Sequence, residues 1–125
     1  MAWADNQARV VLVDDEAALA GLFSRYLSRF YQVRDFSSSL EAKAFLERNP
    51  VDLLISDLIM PGLDGLELAR LARQLQPGLK VVMISGTCPW SWQKNSPPGQ
   101  FDAFLSKPLR LADLRGCCQK VLGQL

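Results

Sequence analysis

Five polar residues follow short apolar runs of the chain, at points where buried strands of a parallel sheet would end. In open parallel sheets the crevice lies at the carboxyl ends of the strands, so these side chains are expected to converge. They would bring three carboxylates, a hydroxyl and an ammonium group into one pocket. The five residues are Asp14, Asp15, Asp57, Ser85 and Lys107.

The three carboxylates of this set indicate a metal site. At close range they would repel one another and raise their own pKa values unless a cation offset them. Oxygen-only ligands favour Mg²⁺, which commonly takes one or two carboxylates together with phosphate oxygens of a substrate. The set therefore indicates phosphoryl transfer, with Asp57 as nucleophile, Lys107 paired with the phosphoryl oxygens and Ser85 as hydroxyl donor.

The composition is that of one ordinary globular domain. The chain has 125 residues, 49% of them apolar, which is enough for about one domain with its own core. A formal net charge of +1 creates no strong field, so neither nucleic acid nor a membrane is predicted as a direct partner. The chain contains no histidine, which excludes His-ligated zinc, a Ser/His/Asp triad and a phosphohistidine carrier.

Cysteine usage favours a reducing compartment. The three cysteines are Cys88, Cys117 and Cys118, and a vicinal pair cannot easily reach disulfide geometry. We expect Cys117 and Cys118 to fill a helix face rather than to perform redox chemistry. The first residues lack the pattern of a signal peptide, and no apolar run approaches the roughly 20 residues of a membrane-spanning helix. The expected location is cytoplasmic.

Apolar runs alternate with amphipathic stretches, which predicts βα units around a parallel sheet. Four of the runs are largely apolar, as in strands buried on both faces, whereas the second mixes in several polar residues as an edge strand does. The five predicted strands cover residues 10–13, 31–36, 51–55, 81–84 and 101–105.

Amphipathic spacing predicts a helix after each of the first three strands and after the last. Ser38 and Glu41 indicate a capping box at the second helix, the third follows Gly65, and the last begins near Leu111. The predicted inward-facing residues, helix by helix, are Leu19, Leu22, Phe23, Tyr26, Leu27 and Phe30; Ala42, Phe45 and Leu46; Leu68, Leu71, Ala72 and Leu75; and Leu114, Cys117, Cys118, Val121, Leu122 and Leu125.

The segment before the fifth strand interrupts the pattern. Its prolines and glycine leave room for a short or irregular fourth helix from about residue 90 to residue 96. Trp90 and Trp92 in this segment are either partner-facing aromatics or loop residues folded onto the body of the domain.

Four motifs resemble those of the receiver domain of two-component response regulators. They are VVLVDDE at 10–16, SDLIMPGLDGLEL at 56–68, VVMISG at 81–86 and FLSKP at 104–108. The resemblance implies a doubly wound α/β fold, a (βα)5 flavodoxin-like three-layer sandwich with a five-stranded parallel sheet in the order 2-1-3-4-5. We assign residues 1–8 to an N-terminal extension and 9–125 to the receiver domain.

The resemblance implies how the metal would be held. Asp15 would bind Mg²⁺ or Mn²⁺ directly and Asp14 through water. The Asp57 carboxylate and the backbone carbonyl of Ile59 would complete the protein ligands.

The resemblance also implies roles around the phosphoryl group. Asp57 would accept the group from a partner's phosphohistidine, while Lys107 and Ser85 would hold its oxygens. Ser85 and Phe104 would act together as the conformational switch. The Lys107–Pro108 peptide bond would be cis.

Three of these positions depart from the usual pattern of the family. Ser85 stands where Thr is commoner, and Phe104 stands where Tyr is frequent, so the hydroxyl and the ring are respectively retained. Ile59 lies two residues beyond the phosphoacceptor, where polar side chains in relatives help to orient an attacking water. We therefore hypothesise slow autodephosphorylation.

The predicted function is that of a phosphoacceptor signalling domain that catalyses only its own aspartyl phosphorylation and dephosphorylation, and is otherwise not an enzyme. The predicted partners are a sensor histidine kinase or a histidine phosphotransfer domain, and a downstream output domain or protein; we also allow for a weak dimer. The sequence is compatible with a stand-alone regulator, a part of a longer regulator, or the receiver of a hybrid histidine kinase.

Two alternative functions use the same residues differently. One is a receiver-like interaction module that works without phosphorylation, which the intact set of site residues disfavours. The other is an aspartyl phosphohydrolase of the haloacid dehalogenase type. That family has a second acid two residues after the nucleophile, whereas this chain has Ile59 there.

Overall fold

The computed structural model describes residues 7–86 and 101–123. Strands and helices alternate along the described residues up to β4, as the spacing of the apolar runs predicts. In chain order the elements are β1 (Arg9–Val13), α1 (Ala17–Leu27), β2 (Gln32–Phe36), α2 (Ser39–Arg48), β3 (Leu53–Asp57), α3 (Gly65–Leu75), β4 (Lys80–Ser85), β5 (Ala103–Ser106) and α4 (Leu111–Val121).

The five strands form one sheet in the order β2-β1-β3-β4-β5, and every neighbouring pair is parallel. This confirms the predicted fold class and places β2 at an edge. The predicted short helix between β4 and β5, with Trp90 and Trp92, lies outside the described residues. So do residues 1–6, most of the predicted N-terminal extension.

The apolar core has two layers, one on each face of the sheet. Along β1, Val11 and Val13 face α2 and α3, whereas Val10 and Leu12 face α1 and α4. Central strands therefore need apolar residues at successive positions, which is why the continuous runs predicted strands correctly. In α4, Cys118 is buried and its pKa is raised to about 12 by that burial, as expected for a thiol that fills a helix face.

Two predicted inward-facing residues are placed differently. Leu22 in α1 and Leu75 in α3 are each 45% exposed, because Phe23 and Leu27 of α1 and Leu68 and Ala72 of α3 already cover the sheet. Phe30 packs against the core as predicted but lies beyond the end of α1 at Leu27. Leu125 lies outside the described residues.

The predicted bounds of the third strand were also shifted. β3 runs from Leu53 to Asp57 rather than over 51–55. Val51 is buried, but its amide donates to Oε1 of Gln76 at 2.7 Å instead of joining the sheet. Asp57 is thus the last residue of a strand and not part of the following loop.

Candidate functional site

Three carboxylates converge at the carboxyl edge of the sheet. Asp14 and Asp15 follow β1, and Asp57 ends the adjacent strand β3. One carboxylate oxygen from each of the three residues lies within 4.8 Å of the others. The strand order therefore brings together residues that are 43 positions apart in the chain.

Lys107 enters this cluster from the end of β5. Its Nζ lies 2.8 Å from Oδ2 of Asp14 and 3.2 Å from Oδ2 of Asp57. Oε1 of Glu16, a residue that the sequence reasoning did not single out, lies 4.0 Å from the same Nζ. The Lys107 amide donates to the carbonyl of Ser85 at 2.8 Å, and the Lys107–Pro108 peptide bond is cis. The backbone of Lys107 is thus tied to the end of β4.

Asp14 is the most enclosed of the acids, with 2% of the residue exposed. Its Oδ1 accepts a hydrogen bond from the amide of Glu16 at 3.0 Å, while Oδ2 accepts from Lys107. Its own amide donates to the carbonyl of Phe36 at 3.1 Å. Both carboxylate oxygens of Asp14 are therefore engaged, whereas Asp15 is exposed.

Burial and the charge of Lys107 act in opposite directions on the pKa of Asp57, which is 9% exposed. Burial raises the pKa of its carboxyl, Lys107 opposes that shift, and the charges of Asp14 and Asp15 add to it, so the pKa lies above its ordinary value. Burial alone would lower the pKa of Lys107, but its contacts with Asp14 and Asp57 outweigh burial and raise it. Lys107 is therefore firmly cationic. Asp57 lies close to two further carboxylates, whose negative charges disfavour its own ionised form.

The site has the donor set of a hard divalent cation. Three carboxylates converge and Lys107 contacts two of them, and oxygen donors of this kind select Mg²⁺ or Mn²⁺ over softer metals. A bound divalent cation would balance the remaining negative charge and relieve the raised pKa of Asp57. The residues present therefore fit the metal that the sequence implied.

Ser85 and Phe104 occupy neighbouring strands beside this cluster. Ser85 ends β4 and is buried, and Phe104 lies on β5 paired in register with Met83. The half-buried Phe104 ring packs on the core layer under α2 and α3, with its centroid 6.0 Å from that of Phe101. Ile59, in contrast, is 62% exposed in the loop after β3.

Gly65 supports the site in a way that sequence reasoning missed. It begins α3 where the helix passes over the end of β3, and its amide donates to the carbonyl of Leu58 at 2.8 Å. Asp64 caps the helix in a complete capping box with Glu67. An N-cap residue followed by glycine at the first helical position was the available signal. The side-chain-free position lets α3 approach the strand end closely.

Residues 10–119 match the family model for the response regulator receiver domain. The chain belongs to the response regulator receiver domain family. This receiver domain is therefore a module of two-component signalling, and such domains are signalling modules rather than classical enzymes. In the part of the chain that the structure describes, no helix is long and apolar enough to cross a membrane.

Individual relatives place the receiver domain in different kinds of protein. It is 32% identical over 115 residues to the response regulator receiver protein CpdR of Brucella abortus (strain 2308), covering 91% of this chain and 96% of CpdR. It is 34% identical over 120 residues to the sensor kinase CckA of the same organism, covering 94% of this chain but 13% of CckA. The domain thus spans nearly all of one relative and a small part of another.

A solved structure agrees with the fold. The CheY-like response regulator receiver domain protein from Methanospirillum hungatei JF-1 has a TM-score of 0.87 and 27% sequence identity. The alignment covers 95% of this chain and 96% of that one. The sheet order and the helices on both faces are therefore those of a CheY-like receiver.

Proposed function

We propose that the receiver domain accepts a phosphoryl group on Asp57 from a phosphohistidine, in a Mg²⁺- or Mn²⁺-dependent reaction. The observation that carries this proposal is the convergence of three carboxylates, two of which contact Lys107, with Asp57 at the end of β3. A nucleophile, a cation for the phosphoryl oxygens and a set of metal ligands are then within reach of one another.

The proposed metal ligands are those that the resemblance to the family implies. Asp15, which is exposed, would bind the ion directly, together with the Asp57 carboxylate and the Ile59 carbonyl. Both oxygens of Asp14 already accept hydrogen bonds, which favours contact through water. When bound, the ion supplies positive charge that offsets the carboxylates and stabilises the charge of the transferring phosphoryl group.

In the transfer step an oxygen of Asp57 attacks the phosphorus of the donor. A P–O bond forms while the P–N bond breaks, and the imidazole nitrogen leaves with the electron pair of that bond. The ammonium group of Lys107 exchanges its contact with the Asp57 carboxylate for a contact with an incoming phosphoryl oxygen. The Ser85 hydroxyl donates a hydrogen bond to another phosphoryl oxygen. The donor is another polypeptide or another domain, since this sequence contains no histidine.

Phosphorylation of Asp57 would act on a partner by changing the surface of the domain near β4 and β5. Ser85 lies at the end of β4 and Phe104 on the neighbouring strand β5, so a hydroxyl drawn toward the phosphoryl group frees space for the ring to move. A downstream domain or protein would read that change, and a weak dimer is one form that it could take. We place the domain in the cytoplasm, without direct contact to nucleic acid or membrane, and take residues 9–125 as the functional unit.

The test uses acetyl phosphate as a small phosphodonor. The protein is incubated with the donor and Mg²⁺, and intact mass spectrometry follows a single acid-stable, base-labile phosphoryl adduct. The expected adduct disappears in Asp57→Ala and when the metal is chelated. It persists in Asp35→Ala, which changes an exposed aspartate on β2.

Other outcomes would overturn the proposal. A protein that never forms the adduct would be the phosphorylation-independent interaction module. Rapid release of inorganic phosphate with continuous consumption of the donor would instead identify an aspartyl phosphohydrolase.

A further inference from the structure

The loop between β3 and α3 carries the Ile59 carbonyl, and its shape depends on contacts with other elements. At its start, the Leu58 amide donates to the carbonyl of Ile84 at 2.8 Å. Farther along, Gly62 adopts a positive φ of 79°, which reverses the chain before α3 begins. The exposed Ile59 side chain adds little restraint of its own.

Ser39, which belongs to α2 and not to this loop, is hydrogen-bonded to the loop backbone. It is the first residue of α2 and is 4% exposed. Its Oγ donates to the carbonyl of Pro61 at 3.3 Å and accepts from the amide of Leu63 at 3.0 Å. The hydroxyl is therefore used both as a donor and as an acceptor, on the two residues that flank Gly62, and its burial limits competition from water.

The approach of Ser39 to the loop depends on Gly62. A Cβ at position 62 would lie 3.2 Å from Oγ of Ser39, a contact that real side chains rarely make. The backbone conformation at φ 79° also disfavours any other residue. The small residue and the hydroxyl thus form one local arrangement, which we call the Ser39 clamp.

We propose that Ser39 is a positioning residue for the metal site, because its clamp holds the loop in the conformation that presents the Ile59 carbonyl. This inference rests on the proposed function, in which that carbonyl is a ligand. Without the clamp the loop would spend only part of its time in the binding conformation. The apparent dissociation constant of the metal would then rise by the reciprocal of that fraction.

The adjacent Ser38 provides a matched control. Its Oγ accepts from the amide of Glu41 at 3.3 Å, a contact that stays within the first turn of α2 and is exposed. Ser38→Ala and Ser39→Ala each remove one hydroxyl from the same helix end. Loss of stability is common to both variants, whereas only Ser39→Ala releases the loop.

The experiment titrates Mg²⁺ alone into the wild-type protein and the two variants by isothermal calorimetry, and measures amide hydrogen exchange at Leu63. For Ser39→Ala we expect the dissociation constant of Mg²⁺ to rise by about tenfold, as for other residues that orient metal ligands. We also expect faster exchange at Leu63, whose amide loses its acceptor. Ser38→Ala should leave both quantities unchanged, although it also removes a hydroxyl from the start of α2.

A second variant tests the clamp from the loop side. Gly62→Ala leaves Ser39 in place but pushes a methyl group against its Oγ, so it should also weaken Mg²⁺ binding. Wild-type affinity for Mg²⁺ in Ser39→Ala or in Gly62→Ala would overturn the inference. A wild-type protein that does not bind Mg²⁺, or whose binding survives Asp15→Asn, would instead overturn the proposed metal site itself.

Discussion

Gly65 lies against the backbone of Asp57 so closely that no side chain fits between them. A Cβ on Gly65 would overlap the Asp57 carbonyl oxygen and would lie 2.6 Å from Sδ of Met83. It would also stand 2.9 Å from Cα of Leu58. The strand that ends in the proposed phosphoacceptor and the helix that follows it are therefore in contact through a position that only glycine can occupy.

Replacing this glycine is expected to be costly. Gly65→Ala forces backbone or Met83 to move, so we expect the free energy of unfolding to fall by about 3 kcal/mol, the upper range for overpacking. The shift should also displace the end of β3 and slow phosphorylation of Asp57. Urea unfolding and the rate of adduct formation with acetyl phosphate measure the two effects.

Gly116→Ala is the matched control for that substitution. Gly116 lies within α4, and a Cβ there would meet nothing within 4 Å. Alanine in an open helical position favours the helix, so the free energy of unfolding should rise by about 0.5–1 kcal/mol. Equal effects of the two substitutions would contradict the close contact at Gly65.

The raised pKa of Asp57 makes stability depend on pH. The folded protein holds the Asp57 proton more tightly than the unfolded chain does, because burial raises the pKa above the ordinary value of 3.8. The stabilising contribution of Asp57 to the free energy of unfolding is therefore present below pH 3.8. It is lost as the pH rises through the pKa that Asp57 has in the folded protein. Asp57→Asn should remove this dependence.

At neutral pH without Mg²⁺, Asp57→Asn should be more stable than the wild type, because it removes a buried carboxylate whose charged form burial disfavours. Lys107 keeps Asp14 as a partner in this variant, at 2.8 Å. Adding Mg²⁺ should stabilise the wild type more than the variant, since binding to the folded state alone stabilises it. Urea unfolding with and without Mg²⁺ gives the comparison, and a variant less stable than the wild type in both conditions would refute the prediction.

Lys107 is expected to be coupled energetically to Asp57. Lys107→Met keeps most of the apolar stem but leaves the carboxylates of Asp14 and Asp57 without their cation. We expect the free energy of unfolding to fall by about 2 kcal/mol, less than for a fully buried pair because the site borders solvent. In the double variant with Asp57→Asn the loss should be smaller than the sum of the single effects.

The control for this cycle is Lys43→Met. Lys43 pairs with Glu47 at 3.8 Å on the exposed side of α2, where an ion pair contributes a few tenths of a kcal/mol. Purely additive effects of Lys107→Met and Asp57→Asn would show that the observed contact carries no coupling energy.

Ile59 is expected to lengthen the life of the phosphorylated state. Its apolar side chain is exposed, lies two residues after the proposed phosphoacceptor in the chain, and cannot orient a water molecule for attack. Ile59→Asn should shorten the lifetime of the acyl phosphate by roughly three- to tenfold. Loss of the adduct with time is followed by intact mass after the donor is removed.

Leu40→Asn controls for polarity alone, because Leu40 is similarly exposed on α2 but is not adjacent to Asp57 in the chain. Its acyl phosphate should decay at the wild-type rate. Equal lifetimes in the wild type and Ile59→Asn would refute the hypothesis of slow autodephosphorylation.

The amino-acid sequence predicted the order of strands and helices because burial requires a pattern of apolar residues within each element. The strand β1 is apolar at every position from Val10 to Val13 since both of its faces are covered. The same reasoning gave the wrong bounds for β3, because Ser56 and Asp57 are polar but are buried in the sheet. Ser56 tolerates this position by donating its hydroxyl to the Asp57 carbonyl at 2.9 Å.

In the candidate site, too, some features were predictable from the sequence and others depended on the tertiary structure. Its members could be proposed from the sequence because each lies at or just after the end of a strand, and parallel strands end at one edge. The ion pairs of Lys107, the clearance at Gly65 and the partners of the Ser39 hydroxyl were decided only by the tertiary structure. Each of these contacts joins atoms from different elements, and the distances arise from how the helices pack against the sheet. A residue's own neighbours in the sequence carry no record of that packing.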